Sequence, residues 1–203
     1  MARVDPAAWA IMLAGRPELA AEPLVAGWAA RGWPLVVRRP DCAASAGTVA
    51  LGLPLPPSHG KRRIGVALPA AAILDLSPPP PLADASRVAP SDWAPTIARL
   101  LDLDQGVRTF GSLAWQSLTG LPYLSPTSDI DLLWSYGVRL DEIAAIAADA
   151  PMRIDGEIVA VDGGAVQWRE LLQPSDEVLV KRLDGARTVS RASFMAAAVV
   201  DPA

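Results

Sequence analysis

The chain has 203 residues, of which 51% are hydrophobic and 20% are charged, a balance that indicates a folded globular protein rather than a disordered polymer. Its 22 acidic and 18 basic residues leave a net charge of −4, which argues against electrostatic binding to nucleic acid or to an anionic membrane. Cys42 is the single cysteine, which excludes an intrachain disulfide and a cysteine-rich zinc site. Because no secretion signal and no apolar stretch of membrane-spanning length is recognisable, we expect a cytoplasmic protein.

The first third of the chain predicts a small α+β unit. Asp5 and Pro6 are typical of the N-cap and first position of a helix, and Trp9 and Leu13 follow on one helical face. A second helix is predicted over residues 23–30. Short apolar segments bounded by Pro and Gly predict strands over residues 34–39, 48–53 and 62–68.

A proline run marks the predicted boundary between two domains. Four consecutive prolines follow Ser77, and because each lacks a backbone N–H and fixes φ, the run can be neither helix nor central strand. We therefore expect a linker here, with an N-terminal α+β domain over residues 1–85 and a second domain over residues 86–203.

The second domain alternates predicted strands and helices. Helices are predicted over residues 91–103, 113–118 and 140–148, with a last helix capped by Ser190. Strands are predicted over residues 107–110, 130–134, 152–161, 176–181 and 187–189, with a turn at Gly163-Gly164. This alternation favours a mixed sheet with helices packed on it, so the predicted fold class is α+β.

Two carboxylates stand one residue apart in the segment Ser128-Asp-Ile-Asp-Leu-Leu-Trp134. Side chains alternate between the faces of a strand, so Asp129 and Asp131 share one face while Ile130 and Leu132 share the other. Like charges so close raise each other's pKa, and the arrangement is costly unless a cation lies between them. Mg²⁺ is the predicted cation, because it takes carboxylate and phosphate oxygens together. An Asp-x-Asp pair is most often a solvated strand end or turn, but the apolar neighbours favour a half-buried strand.

A Gly-Ser pair precedes these carboxylates. Gly111 and Ser112 follow a predicted strand and begin the approach to a helix, where exposed N–H groups and the serine hydroxyl can hold phosphate oxygens. A Gly-Ser pair alone is a common turn, but together with Asp-x-Asp it predicts a phosphate site facing a metal site. A third carboxylate is expected from a neighbouring strand. Asp155 and Glu157 share one predicted face and both qualify, with Glu157 preferred as the metal ligand.

The motifs Gly111-Ser-Leu-Ala-Trp-Gln116 and Ser-Asp-Ile-Asp-Leu-Leu-Trp, in this order, resemble the Gly-Ser and Asp-x-Asp pattern of the nucleotidyltransferase fold. Nearly the whole chain is also similar to a narrower family, the phosphoribosyl-dephospho-CoA transferases of malonate decarboxylase, also called malonate decarboxylase holo-acyl-carrier-protein synthases. The segments that carry this likeness are residues 53–63, 111–134, 155–159, 166–170 and 176–181. The sixteen residues between Ser112 and Asp129 exceed the usual spacing of the broader superfamily and fit an additional loop over residues 120–126.

The resemblance implies an enzyme that acts on a protein hydroxyl. It would transfer phosphoribosyl-dephospho-CoA from 2'-(5''-triphosphoribosyl)-3'-dephospho-CoA to a serine of the acyl-carrier subunit of malonate decarboxylase, with release of pyrophosphate. Asp129 and Asp131 would hold Mg²⁺, with either able to accept the serine proton, and Gly111 and Ser112 would hold the triphosphate. One alternative is a carrier-binding or assembly subunit without chemistry, which the presence of both aspartates disfavours. Another is a small-molecule nucleotidyltransferase that uses ATP or a different nucleoside triphosphate, which the narrow motifs disfavour.

Basic residues outside these motifs are further candidates for phosphate binding. Lys61, Arg62 and Arg63 stand at a predicted strand start and are predicted to bind donor phosphates or an acidic carrier protein, against the alternative of a solvated edge. Strand alternation would place Lys61 and Arg63 on one face. Lys181 ends a predicted strand and can reach a phosphate, although lysines in such positions are commonly just solvated.

The remaining polar and aromatic candidates receive structural interpretations. His59 is interpreted as a loop residue, because no nucleophile motif accompanies it. Trp115 and Trp168 can stack on adenine, but core packing is the favoured interpretation of both. Arg169 and Glu170 are interpreted as a surface ion pair.

Overall fold

A computed structural model describes residues 1–39 and 46–197 and divides the chain into two compact units, 1–78 and 79–203. Cys42 lies outside the described residues. Both units combine helices and sheets, so the predicted α+β class is confirmed. The boundary falls inside the proline run rather than at residues 85/86, because Leu82 and Ala85 are fully buried in the core of the second unit.

Over residues 1–39 and 46–78, the N-terminal unit contains two small sheets and several short helices. Its helices are α1 (Pro6–Ala14), α2 (Pro17–Ala20) and α3 (Pro23–Ala26). Its strands are β1 (Ala2–Val4), β2 (Val36–Val37), β3 (Thr48–Pro54), β4 (Arg63–Pro69) and β5 (Ile73–Leu76). β1 pairs with β5, and β2, β3 and β4 form an antiparallel sheet in that order.

Local sequence explains most of these elements. The Asp5 side chain accepts a hydrogen bond from the Ala7 N–H at 3.1 Å, which is the predicted N-cap of α1. The helix predicted over residues 23–30 is interrupted after Ala26, and a separate 3-10 turn, Ala29–Arg31, ends at Gly32. β1 and β5 were not predicted, since their pairing joins segments about seventy residues apart that are each only three or four residues long.

The C-terminal unit is built on one six-stranded sheet. Its helices are α4 (Leu82–Ala85), α5 (Ala94–Leu103), α6 (Gly111–Thr119), α7 (Leu140–Asp149), α8 (Trp168–Leu172) and α9 (Arg191–Ala197). Its strands are β6 (Arg108–Phe110), β7 (Ile130–Ser135), β8 (Ile154–Val159), β9 (Ala165–Gln167), β10 (Glu177–Arg182) and β11 (Gly185–Ser190). The strand order is β11-β10-β9-β8-β7-β6, so the strands adjoin in sequence order and the predicted mixed sheet is confirmed.

Among the strands described in this sheet, β7 and β8 are the only parallel neighbours, and α7 provides the crossover between them. Ile130, Leu132 and Trp134 of β7 are fully buried in a core to which α4 to α9 contribute. The alternate residues of the strands lie on the opposite face. We call this opposite face the polar face and define it by Asp131, Asp155, Glu157, Gln167 and Lys181, whose register places them together.

Candidate functional site

Three carboxylates converge at one end of the polar face. Asp131 lies in β7, Asp129 immediately precedes that strand, and Asp155 lies in β8. Each contributes a carboxylate oxygen to a group in which all these oxygens lie within 4.8 Å of one another, and all three residues are half-buried. The carboxylates of Asp129 and Asp131 therefore lie close together, as predicted.

Strand register brings the third carboxylate to this cluster. In the parallel pair, Asp131 of β7 aligns with Asp155 of β8, so their side chains emerge side by side on the polar face. On its other side β7 pairs with β6, where Thr109 is fully buried and its hydroxyl donates to the Asp131 carbonyl oxygen at 2.8 Å. The backbone of Asp131 is thus held by neighbouring strands on both sides.

The preferred third ligand, Glu157, does not belong to the cluster. Glu157 aligns with Leu133, two residues beyond Asp131 in β7, and its carboxylate accepts a hydrogen bond from Lys181 Nζ at 2.7 Å. Asp155 takes the place predicted for Glu157, because the parallel register sets it opposite Asp131. Lys181, predicted to bind phosphate, has Glu157 as its partner, and 41% of its side chain remains exposed.

Asp155 is held in its ionised form by its surroundings. Burial raises the pKa of the Asp155 carboxyl, but the hydrogen bonds from Gln167 and from the Gly156 N–H, with the charges of Arg153 and Arg169, outweigh burial and leave this pKa below its ordinary value. An ionised carboxylate beside two others makes a site of concentrated negative charge with oxygen donors only. Such a donor set matches the preference of Mg²⁺ or another hard divalent cation.

Gly111 and Ser112 are the first two residues of α6, rather than a turn before a helix that starts at residue 113 as predicted. Gly111 has φ +63°, and a Cβ on it would overlap the Asp131 carboxylate, so only glycine allows this close approach. No side chain caps the N-terminus of α6, and the Ser112 hydroxyl has no hydrogen-bond partner among residues 1–39 and 46–197. Donors for an anion therefore lie beside the carboxylate cluster.

The loop that follows α6 is anchored by Gln116 of the first motif. The Gln116 Oε1 accepts hydrogen bonds from the N–H groups of Tyr123 and Leu124, each at 3.1 Å, and its Nε2 donates to the Val88 carbonyl at 3.0 Å. One side chain thus connects the helix with the loop that was predicted to account for the long spacing between Ser112 and Asp129.

The basic triplet belongs to the N-terminal unit, and all three of its side chains are exposed. β4 begins only at Arg63, and Lys61 lies in a turn with φ +51°, so the predicted strand alternation of the triplet is wrong. Arg62 forms an ion pair with Glu22. His59 ends a 3-10 turn, Pro57–His59, in agreement with its interpretation as a loop residue.

Trp115 and Trp168 are buried, as their interpretation as core residues expected. Arg169 does not pair with Glu170: its guanidinium lies over the Trp168 ring, 4.3 Å from the centroid, and one of its nitrogens is 3.9 Å from an Asp155 oxygen. The Glu170 carboxylate instead accepts the Leu179 N–H at 3.2 Å. The sequence did not predict α8 or the role of Gln167 as its N-cap, because a helix of only five residues has little periodicity.

Within the part of the chain that the structure describes, no helix has the length and apolar character required to cross a membrane.

Family comparisons agree with the sequence motifs. Residues 1–79 match the model of the phosphoribosyl-dephospho-CoA transferase MdcG N-terminal domain, and residues 81–192 match that of the C-terminal domain. The phosphoribosyl-dephospho-CoA transferase of Bradyrhizobium diazoefficiens is 42% identical, over 96% of this chain and 90% of that protein. Proteins of the same name from Xanthomonas campestris and Pseudomonas syringae are 37% and 30% identical, each over 86% of this chain and over 86% and 83% of their own lengths.

No solved structure matches the chain, so the nucleotidyltransferase-like fold stays a prediction. The two family models together span almost all the described residues, and their border at residues 79–81 coincides with the division into two structural units. The predicted resemblance is thereby confirmed, and the chain belongs to the family of phosphoribosyl-dephospho-CoA transferases.

Proposed function

We propose that this transferase moves phosphoribosyl-dephospho-CoA from 2'-(5''-triphosphoribosyl)-3'-dephospho-CoA to a serine hydroxyl on the apo acyl-carrier subunit of malonate decarboxylase. The bond that forms joins the serine oxygen to the α-phosphorus, and the bond that breaks joins that phosphorus to the bridging oxygen of the departing pyrophosphate. The reaction is a nucleotidyl transfer that leaves the prosthetic group attached through a phosphodiester.

The observation that carries the proposal is the carboxylate cluster beside the N-terminus of α6. Asp129, Asp131 and Asp155 present oxygens within 4.8 Å of one another, and Asp131 contacts Gly111 so closely that no Cβ fits between them. A phosphate chain held by the α6 N–H groups and Ser112 would otherwise meet strong repulsion from these carboxylates. The two features are compatible when a divalent cation lies between them.

The side chains have distinct roles in this proposal. Asp129, Asp131 and Asp155 would hold Mg²⁺, which when bound would neutralise charge on the donor phosphates and on the leaving pyrophosphate. Asp129 or Asp131 accepts the proton of the attacking serine hydroxyl. Gly111 and Ser112 donate hydrogen bonds to the triphosphate and fix its position relative to the serine, because phosphoryl transfer depends chiefly on alignment and charge neutralisation.

Basic side chains in each unit are further candidates for phosphate binding in this proposal. β10 contributes the Lys181 ammonium group to the polar face. To bind a phosphate, Lys181 must break its ion pair with Glu157 or contact both groups at once. Within the N-terminal unit, Lys61, Arg62 and Arg63 form an exposed positive segment with the chemistry to bind phosphates or an acidic carrier protein.

The proposal is tested by mixing the full chain with apo acyl carrier, triphosphoribosyl-dephospho-CoA and Mg²⁺, and measuring the intact mass of the carrier. The wild-type protein should add the prosthetic group, and Asp129→Asn and Asp131→Asn should slow its addition by at least about 100-fold, since each removes a charge at the reacting phosphates. Asp84→Asn is the matched control: it is the same substitution at an exposed carboxylate of the same unit, and it should retain full activity.

The same assay separates the alternative functions. A carrier-binding subunit without chemistry would retain the carrier on a column yet leave its mass unchanged with every donor. A small-molecule nucleotidyltransferase would also leave the carrier unmodified, and unlabelled ATP would displace radiolabelled triphosphoribosyl-dephospho-CoA from the protein. Unchanged rates in both aspartate variants would refute the assignment of the carboxylate cluster as the active site.

A further inference from the structure

Gln167 connects the carboxylate cluster to the start of α8. It is the last residue of β9 and the N-cap of α8, and its register partner in β8 is Glu157, so its side chain lies on the polar face beside Asp155. We propose that Gln167 is a positioning residue that orients Asp155 for metal binding. This inference rests on the proposed function, in which Asp155 is the third metal ligand.

The orientation of the Gln167 amide is determined by α8. Its Oε1 accepts the N–H of Arg169 at 2.6 Å and the N–H of Glu170 at 3.3 Å. Backbone N–H groups can only donate, so the amide oxygen must face the helix and the NH₂ group must face the other way. The Nε2 then donates to Asp155 Oδ1 at 3.0 Å.

The other contacts of Asp155 cannot replace this one. The Gly156 N–H also donates to Oδ1, at 2.9 Å, but it belongs to the adjacent residue and fixes the carboxylate only relative to its own stretch of backbone. Arg153 reaches Oδ2 at 3.1 Å from a side chain that is 64% exposed and therefore screened by water. The nearest Arg169 nitrogen is 3.9 Å from Oδ1, beyond hydrogen-bond distance.

Gln167 is itself fixed by the start of α8 and by strand β9, so its hydrogen bond restrains the orientation of the Asp155 carboxylate. Removing a hydrogen-bond partner of a metal ligand lowers metal affinity about 10- to 100-fold in other sites, because the ligand then samples orientations that do not bind. The same loss is expected here, although Gln167 does not itself touch the cation or the donor.

A serine at position 167 separates this role from helix capping. Serine is among the best N-cap residues, so Gln167→Ser keeps an acceptor for the α8 N–H groups while it removes the amide that reaches Asp155. Gln173→Ser is the matched control, because Gln173 is exposed and lies at the opposite end of the same helix. Asp155→Ala, alone and with Gln167→Ser, completes a double-mutant cycle.

The measurement is Mn²⁺ binding by isothermal titration calorimetry on the full chain without donor or carrier. Gln167→Ser should weaken binding at least about 10-fold, and Gln173→Ser should match the wild type. In the Asp155→Ala background, Gln167→Ser should change the affinity by less than about twofold, since its effect passes through Asp155.

Each other outcome overturns the inference in a recognisable way. Equal affinities of wild type and Gln167→Ser, with Asp155→Ala weakened, would remove the positioning role and leave the metal site intact. An equal loss with and without Asp155 would show a general structural effect of Gln167. Normal Mn²⁺ binding by Asp155→Ala would remove Asp155 from the site, and no binding by the wild type would overturn the metal site of the proposed function as well.

Discussion

The two glycines at the ends of α6 allow a sharp test of the contact between Gly111 and Asp131. Gly111 begins the helix with φ +63° and Gly120 follows its last residue with φ +71°, so alanine meets a similar conformational penalty at both positions. A Cβ at Gly120 would meet nothing within 4 Å, whereas a Cβ at Gly111 would overlap the Asp131 carboxylate. The difference between the two variants therefore isolates the displacement of Asp131.

The magnitudes follow from these geometries. A left-handed alanine costs about 1–2 kcal/mol, so Gly120→Ala should lower the Tm by about 2–8 °C in a chain of this size. Gly111→Ala should cost about 1–3 kcal/mol more, because the Asp131 side chain must move out of its place. Since that side chain is a proposed metal ligand, Mn²⁺ affinity should fall at least about 10-fold in Gly111→Ala and stay unchanged in Gly120→Ala.

The assays are thermal unfolding followed by circular dichroism and calorimetric titration with Mn²⁺, both on the full chain. The reasoning would be refuted if the two alanine variants lost equal stability and bound Mn²⁺ equally well. That result would mean that Asp131 can turn away from Gly111 at no cost, and that its position against α6 does not matter to the site.

Two further predictions concern the support of the cluster and its charge. Thr109→Val should lower the free energy of unfolding by about 1–3 kcal/mol, because it removes the buried hydroxyl that donates to the Asp131 carbonyl. Urea unfolding measures this loss. The control is Thr188→Val at an exposed position, which should leave the free energy of unfolding unchanged. Mg²⁺ at 100 times its dissociation constant should stabilise the wild type by about 2.7 kcal/mol relative to EDTA-treated protein. Asp131→Asn should lose this gain and Asp84→Asn should keep it, and an identical thermal shift in Asp131→Asn would contradict the assigned ligand.

Many local features were predictable because they depend on neighbours in sequence. The N-cap at Asp5, the interruption of regular structure by the proline run and the shared face of Asp129 and Asp131 all follow from backbone geometry over a few residues. The family likeness likewise depends on short motifs, and the comparisons confirm it over nearly the whole chain.

Other features depend on which segments become neighbours. The boundary between the two units lies in the proline run, earlier than the predicted residues 85/86, because the core of the second unit buries Leu82 and Ala85. The local sequence could not indicate this burial. α8 escaped prediction because a five-residue helix has little periodicity of its own and depends on its cap at Gln167.

The choice between Asp155 and Glu157 shows where the sequence by itself stops. The alternation of side chains determined that both carboxylates share a face of β8, but not which of them meets Asp131. Only the parallel register of β7 and β8 decided that Asp155 lies beside Asp131. The position of β10 decided that Glu157 forms an ion pair with Lys181. The physical reason is that alternation is a property of one strand, whereas register is decided by the packing of the α7 crossover and of the whole sheet.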